Sequence, residues 1–347
     1  MAATGYGTSM SDDKHDEKSD EQAKDDTEDQ ASASSEDKTE DKTEDKGDDS
    51  ADDSADDSAD EKSDEKSDDS DDGDDSDDGE KSGKNLYVRD TKSDGRPVVL
   101  IHGWPLSSDS WSEQISKLRD EGFRVVAYDR RGFGQSDPGD KYDYDDLADD
   151  LDNVLSDLDL NDVTLVGFSM GGGEVARYVS RHGTGRLQSV VFASAVTPYM
   201  LKSDDNPDGP LTEDFANELR SSVEDDRDAF FEEFTKNFFS ADDELQVSEE
   251  KRKEALKQAK QSHQEAVLGC MDAWGSTDFR EDLESIDIPT LVIHGDSDAI
   301  VPFEGSGKRT HEAIEDSELV VIEGGPHGVN VSHADEFNSA LLDFLEK

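Results

Sequence analysis

The sequence predicts an α/β domain built on a mostly parallel sheet, flanked by helices and carrying a helical lid insertion, behind an acidic N-terminal tail. Short Val- and Ile-rich runs alternate with longer amphipathic stretches through the 263 residues from Asn85 onward, the rhythm required by parallel strands and crossover helices. Residues 199–280 interrupt that rhythm with polar, helix-like segments and no strand run. Between Ser11 and Lys84 there is no Leu, Ile, Val, Phe, Trp or Tyr, so no apolar burial offsets the entropy of ordering the backbone.

Two regions follow: a disordered, low-complexity tail over 1–84 and one large domain over 85–347, a length that suits a single core. Strands are expected at Leu86–Arg89, Pro97–His102, Arg124–Asp129, Val163–Phe168, Ser189–Ala193, Thr290–His294 and Glu318–Ile322. Helices fall between them at Trp111–Glu121, Tyr144–Leu158, Met170–His182, Gly305–Ile314 and Ala334–Leu345. The insertion, about 199–280, holds helical segments Glu213–Arg220, Arg227–Phe238, Glu249–Lys260 and Gln264–Trp274. An insertion of this kind reads as a lid over the carboxyl ends of the strands, where open α/β sheets place their ligands.

The tail carries 35 acids against 10 bases and the domain 56 against 25, net −25 and −31, making −56 in all. Phosphate binding depends on clustered Lys and Arg, so nucleic acid is excluded as a partner. The Asp-Gly-Ser repeats of the tail do not spell a calcium loop. Counting from Gly73 or Gly79 puts Gly79 or Asn85 where a bidentate Glu should stand. No apolar run approaches a membrane span, and MAATGYGTSM lacks the basic and apolar regions of a signal peptide. A soluble, cytoplasmic protein is expected, with Cys270 alone and no intrachain disulfide. The acidic domain surface repels itself at low salt and is screened at molar salt, which suggests a halophilic, haloarchaeal-like version of its fold.

The chemistry starts at Gly167-Phe168-Ser169-Met170-Gly171, between the strand VTLV and a helix. Small residues two before and two after a serine permit a sharp strand-to-helix turn that thrusts its Oγ forward. The backbone N–H of Met170 then lies at a helix N-terminus, where an oxyanion can be held. A serine hydroxyl needs a base, and the base an orienting carboxylate. Asp298 in HGDSDAIVP and His327 in GGPHG each follow a later strand. Asp296 competes with Asp298, though it is better placed to close the turn after its strand, and His333 at the start of the last helix competes with His327. His102 enters the oxyanion loop and is read as holding it by hydrogen bonds. The second oxyanion donor is the backbone N–H of Trp104 in HGWPL. Pro105 biases Trp104 toward an extended conformation, which turns its carbonyl toward the site as an acceptor for a second nucleophile such as hydrogen peroxide.

The segments HGWPL, YDRRGFGQS, LVGFSMGGGEVARYVSRHGTGR, SAVTPYMLKSDDNPDG, TLVIHGDSDAIVPFEGSGK and GGPHG resemble the α/β-hydrolase family. More narrowly, they are similar to its cofactor-free haloperoxidases, also described as non-haem chloroperoxidases, arylesterases or perhydrolases. The resemblance runs from about Asn85 to Lys347. It implies Ser169 as nucleophile, Asp298 and His327 as its partners, and Trp104 and Met170 as oxyanion donors, with no metal and no cofactor. It also implies an acyl-enzyme formed from a small-molecule ester or carboxylic acid and released by water or hydrogen peroxide, with halide oxidised secondarily by the peracid.

Two departures accompany it. The outermost strand usual in the family has its place taken by SDDGEKSGK, so the sheet is expected to lack that edge strand. The lid, in SVEDDRDAFFEEF and VSEEKRKEALKQAKQSHQEA, is unusually charged. The alternative function is a non-catalytic interaction protein, with the hydrolase-like domain as scaffold and the tail binding cations. Oligomeric state, a homo-oligomer included, is left open by the sequence.

Overall fold

The computed structural model describes residues 80, 81 and 85–347. Eight strands form one sheet: β1 (Glu80–Lys81), β2 (Tyr87–Asp90), β3 (Pro97–Ile101), β4 (Arg124–Tyr128), β5 (Val163–Phe168), β6 (Leu187–Ala193), β9 (Thr290–Gly295) and β10 (Glu318–Ile322). Between β6 and β9 lies a small hairpin of β7 (Ser240–Ala241) and β8 (Glu244–Leu245). Helices are α1 (Ser112–Asp120), α2 (Tyr144–Asp157), α3 (Met170–His182), α4 (Glu213–Phe238), α5 (Glu249–Gln261), α6 (Gln264–Ser276), α7 (Arg280–Leu283), α8 (Gly307–Ala313), α9 (Val329–Ser332) and α10 (Ala334–Leu345).

The strand order is β1-β2-β4-β3-β5-β6-β9-β10. β2 runs antiparallel to both of its neighbours, and every other pairing in the sheet is parallel. The central strands are buried on both faces, and their alternation divides the core. Val99, Ile101, Leu165, Val190 and Phe192 face the layer of α2 and α3. Val98, Leu100, Val166, Phe168, Val191 and Ala193 face the layer of α1 and α10. A period-2 strand whose residues are all apolar has no solvated face, which is why runs such as PVVLI and VTLVGF sit at the centre of the sheet.

The expectation of a missing edge strand is corrected by β1. Glu80 pairs with Val88 and Lys81 with Tyr87, antiparallel to β2. Two polar residues give no apolar alternation to read, and strand pairing needs only backbone groups. The rest of the tail and its Asp-Gly-Ser repeats lie outside the described residues. The short α7, α9 and β7–β8 elements were not foreseen, being too brief for a periodic signal.

In the insertion, the two expected helices of its first half are one span, α4, broken at Asp226 with φ −153° and ψ 85°. The Asp226 carboxylate accepts the Ala229 N–H at 3.0 Å and so caps the second half. Thr212 and Ser248 cap α4 and α5 in the same way. The insertion sits over the carboxyl ends of the strands. Gly328 N–H, beyond β10, donates to Phe238 O at 2.8 Å, and the Trp104 indole, beyond β3, donates to Val267 O at 3.0 Å. Among the described residues no helix is long and apolar enough to cross a membrane.

Candidate active site

Ser169 stands between β5 and α3 with φ 54° and ψ −117°, a conformation that costs a non-glycine residue about 1–3 kcal/mol. The neighbouring glycines make the turn possible. A Cβ on Gly167 would meet Gly171 O at 2.4 Å, and one on Gly171 would meet Ile101 O at 2.6 Å. Strand, turn and helix thus approach backbone to backbone, and Ser169 Oγ projects from the tightest point.

The structure brings Ser169, His327 and Asp298 together. His327 Nε2 lies 2.9 Å from Ser169 Oγ, and His327 Nδ1 lies 2.7 Å from Asp298 Oδ2. With Nδ1–H donating to the carboxylate, Nε2 turns its lone pair toward Ser169 Oγ. Asp298 Oδ1 accepts the Ile300 and Val301 N–H groups at 2.9 and 2.8 Å. Burial works to raise the Asp298 pKa, but the facing His327 and the bond from His294 outweigh it and hold the carboxyl well below its usual range. The His327 ring is walled by Phe168 and Phe238, with centroids 5.1 and 5.0 Å away.

The rivals are elsewhere. Asp296 accepts the Gly324 N–H at 2.7 Å and closes the turn between strand ends. His333 Nδ1 lies 2.9 Å from the neighbouring Ser332 Oγ. His102 holds its loop: Nδ1–H donates to Gly103 O at 2.9 Å, and Nε2 accepts the Arg130 N–H at 2.9 Å. Burial, then the Arg130 charge, push the His102 pKa well below its ordinary value, which keeps the ring neutral. His294, near the end of β9, also touches the acid. Its Nε2–H lies 2.8 Å from Val301 O and 3.3 Å from Asp298 Oδ2.

Met170 follows Ser169 directly and begins α3, and Gly103, the residue before Trp104, packs so close to the elbow that a Cβ there would lie 3.1 Å from Ser169 Cβ. The Trp104 indole faces the lid, edge-on to Phe230, Phe231 and Phe234 with centroids 5.2 to 6.1 Å away, and tilted against Trp274 at 6.0 Å. These lid aromatics give no position-specific signal in the sequence, because their helices read as amphipathic whatever they cover. Among the described residues no three His, Cys, Asp or Glu side chains gather as metal ligands.

A family model described as the alpha/beta hydrolase fold matches residues 96–334. A non-haem chloroperoxidase from Kitasatospora aureofaciens is 47% identical over 271 residues, 77% of this chain and 98% of that protein. A bifunctional esterase/perhydrolase from Acinetobacter calcoaceticus is 37% identical over 269 residues, 76% of this chain and 97% of that protein. Of solved structures, a bromoperoxidase from Bacillus anthracis superposes with a TM-score of 0.74 at 54% identity, covering 76% of this chain and 95% of that one. The mostly parallel sheet with a serine turn between β5 and α3 agrees with these likenesses in fold. The chain is an esterase-type enzyme of the α/β-hydrolase family, in the group of the non-haem chloroperoxidases and esterase/perhydrolases.

Proposed function

We propose that the protein is a serine esterase that works through an acyl-enzyme and also transfers the acyl group to hydrogen peroxide. The observation that carries this reading is the 2.9 Å contact of Ser169 Oγ with His327 Nε2 at a strained turn. Ser169 is the nucleophile, His327 the general base and Asp298 the carboxylate that orients it. Ser169 Oγ attacks the ester carbonyl while His327 takes its proton. The imidazolium is stabilised by Asp298, and the backbone N–H groups of Trp104 and Met170 hold the oxyanion. Collapse expels the alcohol, which receives the proton from His327, and leaves the acyl group on Ser169.

Water then attacks with His327 as base and gives the carboxylic acid; hydrogen peroxide gives the peracid instead. A peracid oxidises halide to hypohalous acid and returns to the carboxylic acid, which accounts for halide oxidation without a further site. The names of the chloroperoxidase and esterase/perhydrolase relatives support both outcomes. The net −31 of residues 85–347 supports a salt-adapted version of this enzyme.

The test is release of p-nitrophenol from its acetate, with peracetic acid measured from acetate and peroxide. Ser169→Ala is expected to lose about 10⁴-fold or more in kcat in the first assay and to be silent in the second. Equal rates in both proteins would reject the mechanism, and p-nitrophenol release without peracid would leave an esterase alone.

A further inference from the structure

Beneath the oxyanion loop lies a buried ion pair that neither the acyl-enzyme mechanism nor the relatives' names explain. Arg130, just past β4, and Glu174, in the second turn of α3, are 1% and 0% exposed. Arg130 Nε donates to Glu174 Oε2 at 2.9 Å, and Tyr128 Oη donates to Glu174 Oε1. Arg130 also grips His102 twice, through Nη2 to the His102 carbonyl at 2.9 Å and through its own N–H to the His102 ring at 2.9 Å. The His102 ring returns to Gly103 O, which accepts the Leu106 N–H at 3.0 Å as well. The segment that carries the Trp104 N–H is therefore clamped through its carbonyls and its histidine ring. Glu174 stands four residues after Met170 on the same helix, so the helix bearing the other N–H is tied to the same guanidinium.

Burial weighs against the Arg130 charge, but Glu174 more than offsets it, and the guanidinium stays charged. Such a pair does not account for itself by stability. A buried ion pair roughly breaks even against apolar residues of similar volume, and Arg130 Nη1 is buried with no partner among the described residues. What two apolar side chains could not do is donate to the His102 carbonyl. We propose that Arg130 and Glu174 are positioning residues that lock the Trp104 and Met170 N–H groups into one rigid oxyanion site. This inference rests on the acyl-enzyme reading above.

The decisive variant is Arg130→Met/Glu174→Leu in the full chain, which removes both charges together and leaves neither buried alone. Measurements are the circular dichroism melt, kcat and KM on p-nitrophenyl acetate, and the inhibition constant of a trifluoromethyl ketone, whose adduct with Ser169 carries an oxyanion. The expected result is a folded protein with KM nearly unchanged, and kcat and ketone affinity both lower by about 10²-fold. A folded variant with kcat and ketone affinity within about twofold of the unmodified enzyme overturns the proposal. Should the double variant not fold, Glu174→Gln keeps the volume and the acceptor for Tyr128. It is expected to lower kcat and ketone affinity by about tenfold at constant KM, and a fall in melting temperature alone overturns the proposal. Ser169→Ala separates the two readings. If it stays active and ketone-sensitive, the acyl-enzyme reading fails and takes this inference with it; if it is inactive, the Arg130 and Glu174 results judge the inference alone.

Discussion

At the carboxyl edge of the sheet, contacts are short and bound to the backbone. A Cβ on Gly167 or Gly171 would run into the backbone of Gly171 or Ile101, and one on Gly103 would come within 2.7 Å of the Phe168 ring. The lid just above is held differently. Arg252 of α5 reaches Glu232 and Glu249 at 2.7 and 2.6 Å, both acids being partly exposed, and Phe230, Phe231 and Phe234 lean edge-on against Trp104. Where backbone meets backbone, as at Gly167 and Gly171, the floor has little room to yield. The aromatic contacts of the insertion with Trp104 are between side chains, which repack more readily than backbone, and reaction geometry is expected to follow the floor and substrate choice the lid.

That contrast breaks most visibly at the acid. Asp298→Asn is expected to lower kcat by about 10⁴-fold, measured on p-nitrophenyl acetate, while Asp296→Asn changes it by no more than about threefold. Comparable losses in both would place the acid in the wrong turn. The same residue gives a pH dependence. A carboxyl depressed in the folded state contributes stability that is full above its unfolded pKa, near 4, and is lost as pH falls toward the lower folded value. The melting-temperature advantage of the unmodified protein over Asp298→Asn should be constant above about pH 5 and shrink below about pH 4.

Next in size, Gly103→Ala in the floor is expected to lower kcat by about 10²-fold with little change in KM, since it displaces the Trp104 peptide. A lid substitution should do the reverse. Phe234→Ala is expected to raise KM for acetate esters by about 3- to 10-fold, to hold kcat within about threefold, and to move the preferred acyl chain to greater length. An ester-length panel reads this, and a kcat collapse would merge lid and floor into one device.

Salt should act on the surface of both regions and on the chemistry of neither. Raising KCl from 0.1 to 2 M is expected to raise the melting temperature by about 5 °C as acid–acid repulsion is screened. Turnover per folded molecule should stay the same. A melting temperature that does not move would show that the net −31 of residues 85–347 reflects solubility alone.

Much of the fold could be read because its signals are local. Val163–Phe168 and Met170–His182 were bounded correctly by the apolar run, the glycines and the serine between them. β1 escaped because two polar residues paired through backbone leave no pattern. The break in α4 at Asp226 was visible as a gap between two amphipathic stretches, whereas the capping role of Asp226 needed coordinates. Arg130 and Glu174 left no trace of their pairing, since Arg130 stands among other charges in YDRRG and Glu174 follows a run of glycines.

The sequence by itself determined the alternation of strands and helices, the glycine-lined turn at Ser169, and the short set of strand-end acids and histidines from which its partners could come. It also set the net charge of −56, because charge is a sum over residues and needs no fold. Tertiary structure alone decided which of those candidates meet. His327 and Ser169 are 158 residues apart, and His327 and Asp298 are 29 apart. Periodicity and turn chemistry act over a few residues, whereas contacts at those separations are set by strand order and register. The same reason governs the clamp of Arg130 on His102 and Glu174, which the sheet assembles from three segments that share no local signal.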